Sequence, residues 1–366
     1  MLQNICCNVI NVFFVLASPK MCDAVEKNFP IMDSDLYKFC KNKEVNVEKE
    51  AVSLSMYGNE QWDEEDVEHI VRTINQDLQL KELFGNNMPQ FLSSEGFEVK
   101  MNTKKSPVII GEGVECSILF AEETRTQKLV AVKLFKNKDY NIVQFLREYA
   151  YTRMSHNVLN GHVKGMEMKG IISLNRTVSE STFKYAMVLE FASLIPGSSA
   201  TLTLNEAIDL GYELKFNIIS QQNWAQIILA LISATEQLKD NQICHLDLHG
   251  NNIMLGFTEK GVTLIIIDFG DAKGFYGSKH EPLYKRKGDE DEVDGYIAPE
   301  LFHQGIPLPT SDLYSVTYFA LEIAELIGLE RLGKVFKKFR KSDPVNRKKH
   351  AKLQRKCMRY LQHLFY

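Results

Sequence analysis

The chain has 366 residues, 45% apolar and 25% charged, which excludes wholesale disorder and suits two domains or one two-lobed domain. Its seven cysteines (Cys6, Cys7, Cys22, Cys40, Cys116, Cys244 and Cys357) are scattered with no CxxC pair, which argues against a disulfide framework or zinc module and favours a reducing interior. The net charge of −4 is uneven: residues 1–105 carry 17 acids and 11 bases, residues 331–359 carry 13 bases and one acid, Asp343.

Taken in chain order, Ile5 to Ala17 is an apolar run interrupted by Asn8 and Asn11. It is too short to span a bilayer as a helix. Val15-Leu16-Ala17 could pass as a signal cleavage site, but no Lys or Arg precedes the run, and Met21 is an equal candidate start. No later segment is apolar enough to cross a membrane.

Residues 1–105 are expected to form an N-terminal extension. Within it Val67, Ile70, Val71, Ile74 and Leu78 follow helical spacing, which predicts one amphipathic helix over 63–83. Asp63, Glu64, Glu65 and Asp66 fall in its first turn, where acids suit the helix dipole. A single apolar stripe implies docking, most simply on the domain that follows. Met101–Ser106 is expected to be a linker. Residues 106–190 then read as strands: VIIGEG, CSILFAEE, KLVAVKLF, GIISLN and KYAMVLEFA, with a helix over Asn141–Met154. Residues 191–330 turn helical around a strand at TLIIIDF, with helices over Asn223–Lys239 and Asp312–Ile327. Residues 331–366 form a basic helical tail. The expected class is α+β, bilobal, with a small antiparallel β-rich N-lobe, a larger helical C-lobe, and a ligand cleft between them.

Five features carry chemistry. Gly111-Glu112-Gly113 closes a strand and could bring backbone amides to a phosphate, although such pairs are often only tight turns. Lys133 lies inside an apolar strand and needs an anion if buried; Glu148 on the next helix offers one. An edge-strand lysine with its amine in water is the plainer alternative. Then come His245-Leu246-Asp247-Leu248-His249-Gly250-Asn251-Asn252, Asp268-Phe269-Gly270, and Ala298-Pro299-Glu300 with Asp312 in the following helix.

In this order and spacing the set, over roughly 107–330, resembles the signatures of the protein-kinase superfamily. The resemblance implies ATP and Mg²⁺ as cofactors and a protein substrate. Lys133 would hold the α- and β-phosphates and pair with Glu148; Asn252 and Asp268 would bind Mg²⁺; Asp247 would accept the hydroxyl proton. Ile118, Ala131 and Met254 align with residues that sandwich adenine. Backbone groups of Glu190 and Ala192 align with the hinge at its edge, and Gly111, Glu112 and Gly113 with the phosphate loop. Glu300 would be an anchor paired with Arg347. His245 and His249 have the i, i+4 spacing of metal ligands, but in such a loop His245 packs beneath Phe269.

The chain also departs from that pattern. Cys116 replaces the third loop glycine. Leu246 stands where many kinases have the arginine that receives an activation-loop phosphate, so dependence on that switch is not expected. Val293 stands where a threonine is expected. HxDLHxxN is similar to loops of haspin-type kinases and of choline and aminoglycoside kinases, as are the Gly111–Val114 loop, the Leu189-Glu190-Phe191 hinge and the acidic Asp289–Asp294 stretch to haspin. Haspin-type enzymes lack a conventional APE segment. The reading is a serine/threonine protein kinase; the alternatives are a small-molecule kinase or a pseudokinase scaffold. The basic tail 334–356 could meet an acidic partner or nucleic acid, or act as a nuclear-import signal. The expected location is intracellular, in cytoplasm, nucleus or both.

Overall fold

The structure is a computed structural model, and it describes residues 42–45, 47, 51–59, 61–113, 115–136, 141–174, 183–195, 198–214, 219–258, 261–274, 295–303, 307–340, 347 and 350–365. The apolar run 5–17, Met21, Val114, Asp289–Asp294, Lys348 and Lys349 lie outside them. The chain divides into two units, one of Asn42–His156 with Met166–Ser193, the other including Asn157–Gly165 and Leu194–Tyr366. Among the described residues no helix is long and apolar enough to cross a membrane.

The first unit is a sheet in the order β1 (Ala51–Ser53), β2 (Phe97–Lys100), β4 (Cys116–Glu123), β5 (Lys128–Phe135), β8 (Tyr185–Glu190), β7 (Met168–Ser173), with β3 (Ile109–Glu112) also paired to β4. These pairings are antiparallel. β4 and β5 pair without slippage from Cys116↔Phe135 to Glu123↔Lys128. Alternate Val and Ile side chains bury one face with Leu54, Phe97, Val99, Val130 and Val132. Where a linker is expected at 101–106 the chain makes a tight turn. Asn102 Oδ1 accepts from the amides of Lys104 at 2.9 Å and Ser106 at 3.1 Å, and Met101 pairs with Pro107.

The expected helix over 63–83 is two helices, α1 (Glu64–Gln76) and α2 (Leu78–Phe84). Asp77 breaks it: its backbone is extended and its carboxylate caps α2 by accepting from the Leu80 amide at 2.9 Å. Both dock on the sheet unit as the apolar stripe implied, burying Ile70, Ile74, Leu80 and Phe84 against α3 (Ile142–Val158). Asp66 is not a solvated first-turn acid. It is buried, and it accepts from Lys184 Nζ and Tyr185 OH.

The second unit is mainly helical: α4 (Leu204–Leu214), α5 (Gln221–Asp240), α6 (Glu300–His303), α7 (Ser311–Leu326), α8 (Glu330–Arg340) and α9 (His350–Phe365). Thr203 and Glu206 form a reciprocal capping box at α4, a signal legible in Thr203-Leu204-Asn205-Glu206. β10 (Ile253–Thr258) and β11 (Gly261–Ile266) form a hairpin, with β6 (Val163–Gly165) parallel to β11; β9 (Ile243–Cys244) pairs β12 (Lys273–Gly274). In α9 the inward residues are Leu353, Cys357 and Leu361, one helical face, while Met358 is 43% exposed.

The expected Glu300–Arg347 pair is present. Arg347 Nη1 lies 2.7 Å from Glu300 Oε1, both side chains fully buried, and Ser311 Oγ donates to the same oxygen at 2.7 Å. Tyr314 lies between two guanidiniums, Arg347 at 4.5 Å and Arg340 at 4.1 Å from its ring centroid. Removing one partner of a buried pair strands the other charge. Arg347→Leu should therefore destabilise the protein by about 3–5 kcal/mol, read as a lowered urea midpoint with an unchanged slope; a midpoint at the wild-type value would contradict the pair's anchoring role.

Candidate active site

In the first unit Lys133 is not on an edge. β5 lies between β4 and β8, so Lys133 faces Ile118 on one side and Met187 on the other in register, and is 6% exposed. Its Nζ sits 2.5 Å from Glu148 Oε1, and Glu148 is 3% exposed. The Phe135 ring lies 5.3 Å from the same ammonium. Ala131 is two residues back along the strand, buried, and Ile118 is half-buried. The Gly111–Gly113 hairpin is closed by the Gly113 amide donating to Cys116 O at 2.9 Å. A Cβ at Gly111 would press on Ile118 Cγ1 at 3.2 Å. Lys136 pairs with Glu112 at 2.6 Å across this hairpin. At the end of β8, Glu190 donates its amide to Glu167 O at 2.9 Å, and Ala192 is buried just beyond.

In the second unit the segment 245–252 is held by its own polar groups. Asn252 Nδ2 donates to Asp247 O at 2.9 Å and to Asp247 Oδ2 at 3.1 Å. His249 Nε2 lies 3.4 Å from Asp247 Oδ2, while its Nδ1 accepts from the Asn251 amide at 3.2 Å. His245 is fully buried with its ring 4.5 Å from Phe269, as expected. Its Nδ1 accepts from the Asp247 amide at 3.3 Å, so Nε2 is the protonated atom and donates to Ile267 O at 3.0 Å. Both nitrogens are thus engaged, which removes this histidine as a metal ligand. The β10–β11 pairing brings Asn252 and Asp268 to one end of a hairpin, since Ile253 faces Ile266 and the Ile267 amide donates to Asn252 O at 3.0 Å. Met254 follows on β10, half-buried. Among the described residues no cluster of three His, Cys, Asp or Glu could hold a metal ion. The donors on offer are the hard oxygens of Asn252 and Asp268, which suit Mg²⁺ completed by phosphate oxygens. With Nδ2 of Asn252 directed at Asp247, Oδ1 is the atom left for a cation.

The family description "Protein kinase domain" matches residues 105–354. The chain belongs to this family. Among curated proteins it is 30% identical to the mitosis inhibitor protein kinase of Candida albicans over 118 residues, 32% of this chain and 9% of that protein. It is 25% identical to mitogen-activated protein kinase kinase kinase 19 of Mus musculus over 155 residues, 40% of this chain and 11% of that protein. A calcium/calmodulin-dependent protein kinase of Emericella nidulans is 31% identical over 100 residues, 26% of this chain and 24% of its own. The chain therefore spans a quarter or less of each of these relatives.

The kinase loop has a support that sequence reading named without assigning a role. Asp312, 3% exposed on α7, accepts from the amides of His245 at 2.7 Å and Leu246 at 3.0 Å. Burial pushes its carboxyl pKa up despite these bonds, and it pushes the neighbouring Cys244 thiol up as well. The two amides are gripped just where Leu246 adopts φ 68°, and Asp268 at the DFG motif adopts φ 61°. Such left-handed conformations persist only where surroundings enforce them. Leu246 itself is buried with Cys244, Ile297, Ala298 and Leu301, so an apolar plug occupies the place of the absent arginine. Asp312→Asn turns an NH₂ toward one of the two amides, leaving a buried donor facing a donor. It should destabilise the protein by about 1–3 kcal/mol and slow any phosphoryl transfer more than it alters nucleotide affinity, as read by melting and single-turnover assays.

Proposed function

We propose that this kinase domain transfers the γ-phosphate of ATP to Ser or Thr hydroxyls of a protein. The observation that carries the proposal is the buried Lys133–Glu148 pair, an ammonium held at 2.5 Å in the middle of a sheet. A lysine so placed suits the α- and β-phosphates, with the Gly111–Glu112–Gly113 hairpin offering backbone amides beside them. In the first unit Ile118 and Ala131 would flank adenine and backbone groups of Glu190 and Ala192 would meet its edge; Met254 is the adenine-flanking residue that the kinase resemblance assigns to the second unit. Asp247 accepts the proton of the attacking hydroxyl, its carboxylate fixed in rotation by Asn252 and His249. Asn252 and Asp268 hold Mg²⁺, which when bound offsets the negative charge on the transferring oxygens. His249, where Ser/Thr kinases carry a lysine, favours the small-molecule alternative, but Ala298-Pro299-Glu300, Asp312 and the protein kinases named above favour a protein acceptor.

Radiolabelled ATP with Ser/Thr peptides, Tyr peptides, choline and an aminoglycoside as acceptors tests this reading. Ser/Thr peptides should be labelled. Lys133→Met and Asp247→Asn should each lower turnover on the order of 10³-fold, and Asp268→Ala should abolish the dependence of ATP affinity on Mg²⁺. Because Leu246 is packed rather than charged, phosphatase treatment should leave wild-type turnover intact. Label on choline or the aminoglycoside alone would establish the small-molecule alternative; no turnover from folded, ATP-binding protein would establish the pseudokinase.

The C-terminal helices supply a second proposal, an acidic partner or nucleic acid. Lys334, Lys337 and Lys338 on α8 and Lys352, Arg355 and Arg359 on α9 are exposed while the apolar faces of both helices are buried. Replacing Lys337, Lys338, Lys352 and Arg355 with Gln should weaken heparin binding and flatten its salt dependence, by roughly 0.9 in the log–log slope per lost phosphate-like contact, and shift any nuclear fraction toward the cytoplasm. Unchanged binding and distribution would mark this face as merely solvated.

A further inference from the structure

The kinase family match begins at residue 105, yet the helix carrying Glu148 packs on residues that precede it. In α3 the side chains flanking Glu148 are Phe145, Leu146, Tyr149 and Ala150, and they share one core with Ile70, Ile74, Leu80 and Phe84 of α1 and α2. Phe135, whose ring neighbours the Lys133 ammonium, belongs to the same core. Phe84 stacks on Tyr149 with ring centroids 5.8 Å apart.

Polar ties fasten the same segment at three places. Tyr149 OH accepts from the Gln90 amide at 3.0 Å, and Arg153 Nη1 donates to Asn87 O at 3.2 Å and Met88 O at 3.3 Å. Residues 90–92 run along β7, with the Leu92 amide donating to Ile171 O at 2.8 Å and the Ile171 amide to Gln90 O at 2.9 Å. Only glycine fits at 170, because a Cβ there would lie 2.5 Å from Gln90 O. At the far end Asp66 binds Lys184, Tyr185 OH at 3.2 Å and Ser173 Oγ at 3.4 Å.

We propose that residues 62–92 are a positioning element for phosphoryl transfer, seating α3 so that Glu148 meets Lys133. The inference rests on the reading of that pair given above. Its physical basis is that a charge pair at 2.5 Å tolerates little displacement, and the reacting geometry it serves tolerates about as little. In this core α3 meets the sheet through Phe135, Ile171, Tyr185 and Met187, and α1 and α2 supply the rest of its apolar seat through Ile70, Ile74, Leu80 and Phe84. Ile70, Ile74 and Asp66 act through Glu148, so they are positioning residues; they touch no reacting atom.

The test is a double-mutant comparison in the full chain. Single-turnover rates at saturating MgATP are measured for Ile74→Ala and Asp66→Asn, each alone and combined with Glu148→Gln, with melting curves alongside. Alone, each should slow transfer about tenfold or more while the KM for the acceptor peptide stays within twofold. Combined with Glu148→Gln, neither should slow it further, because the pair through which they act is already broken. Equal slowing in both backgrounds would reveal a loss of folded protein only and overturn the proposal. Wild-type rates for Ile74→Ala and Asp66→Asn, with Glu148→Gln impaired, would overturn it while leaving the Lys133–Glu148 reading standing. A wild-type rate for Glu148→Gln would overturn both. Should Ile74→Ala not fold, Gly170→Ala replaces it, displacing residues 90–92 without deleting any apolar side chain, and the same comparison decides.

Discussion

Lys133 carries an ammonium into the middle strand of a sheet, where both neighbouring strands deny it water. An unpaired charge there is untenable, so the first unit is organised around bringing Glu148 to it. That demand sets where α3 lies, and α3 in turn needs an apolar seat for Phe145, Leu146 and Tyr149. Buried ion pairs contribute little net stability compared with apolar replacements of the same shape. The pair is better understood as a specification of geometry: the sheet and three helices are arranged so that two opposite charges meet at one point.

The same constraint governs the second unit, with the signs distributed differently. Asp312 is a buried carboxylate satisfied by two backbone amides instead of a cation, and its position dictates the path of the chain from Cys244 to Asp247. Glu300 is satisfied by Arg347 and Ser311 through one oxygen. Among the described residues Glu300 Oε2 and Arg347 Nε and Nη2 have no hydrogen-bond partner, and the Arg347 and Arg340 guanidiniums both lie over the Tyr314 ring. Burial raises Cys244 well above the usual thiol range and Cys357 to about 12, so neither forms the reactive thiolate.

Loop chemistry and helix packing meet at Leu246. A residue with φ 68° and an apolar side chain is costly in isolation. Here its amide is gripped by Asp312 and its side chain is enclosed by Ile297, Ala298 and Leu301. A charged residue in its place would need a counter-ion; the apolar one needs only enclosure, which the segment ending in Ala298-Pro299-Glu300 supplies.

What the sequence determined by itself is the set of residues whose meaning is local. Lys133 in an apolar run and the strand-rich then helix-rich order were legible because short-range periodicity dictates them, while Asp247, Asn252 and Asp268 stood out because their motifs and spacing resemble those of protein kinases. The Glu148 pairing was legible too, since a buried lysine needs an anion and the next helix offers one, whereas the Glu300–Arg347 pairing was implied by the resemblance to protein kinases. The tertiary structure alone decided the rest. Whether Lys133 lay on an edge or in the centre depends on strand order, which no local pattern encodes. Asp77 could have sat within a helix or capped one, and only the docking of α1 and α2 on α3 selects the break. Asp66 reads as an ordinary first-turn acid until Lys184 and Tyr185, far along the chain, close around it. The edge pairing of Phe91 with Ile171 and the grip of Asp312 on the loop are contacts between distant segments. Their energies come from excluding water between surfaces that meet only in the folded chain.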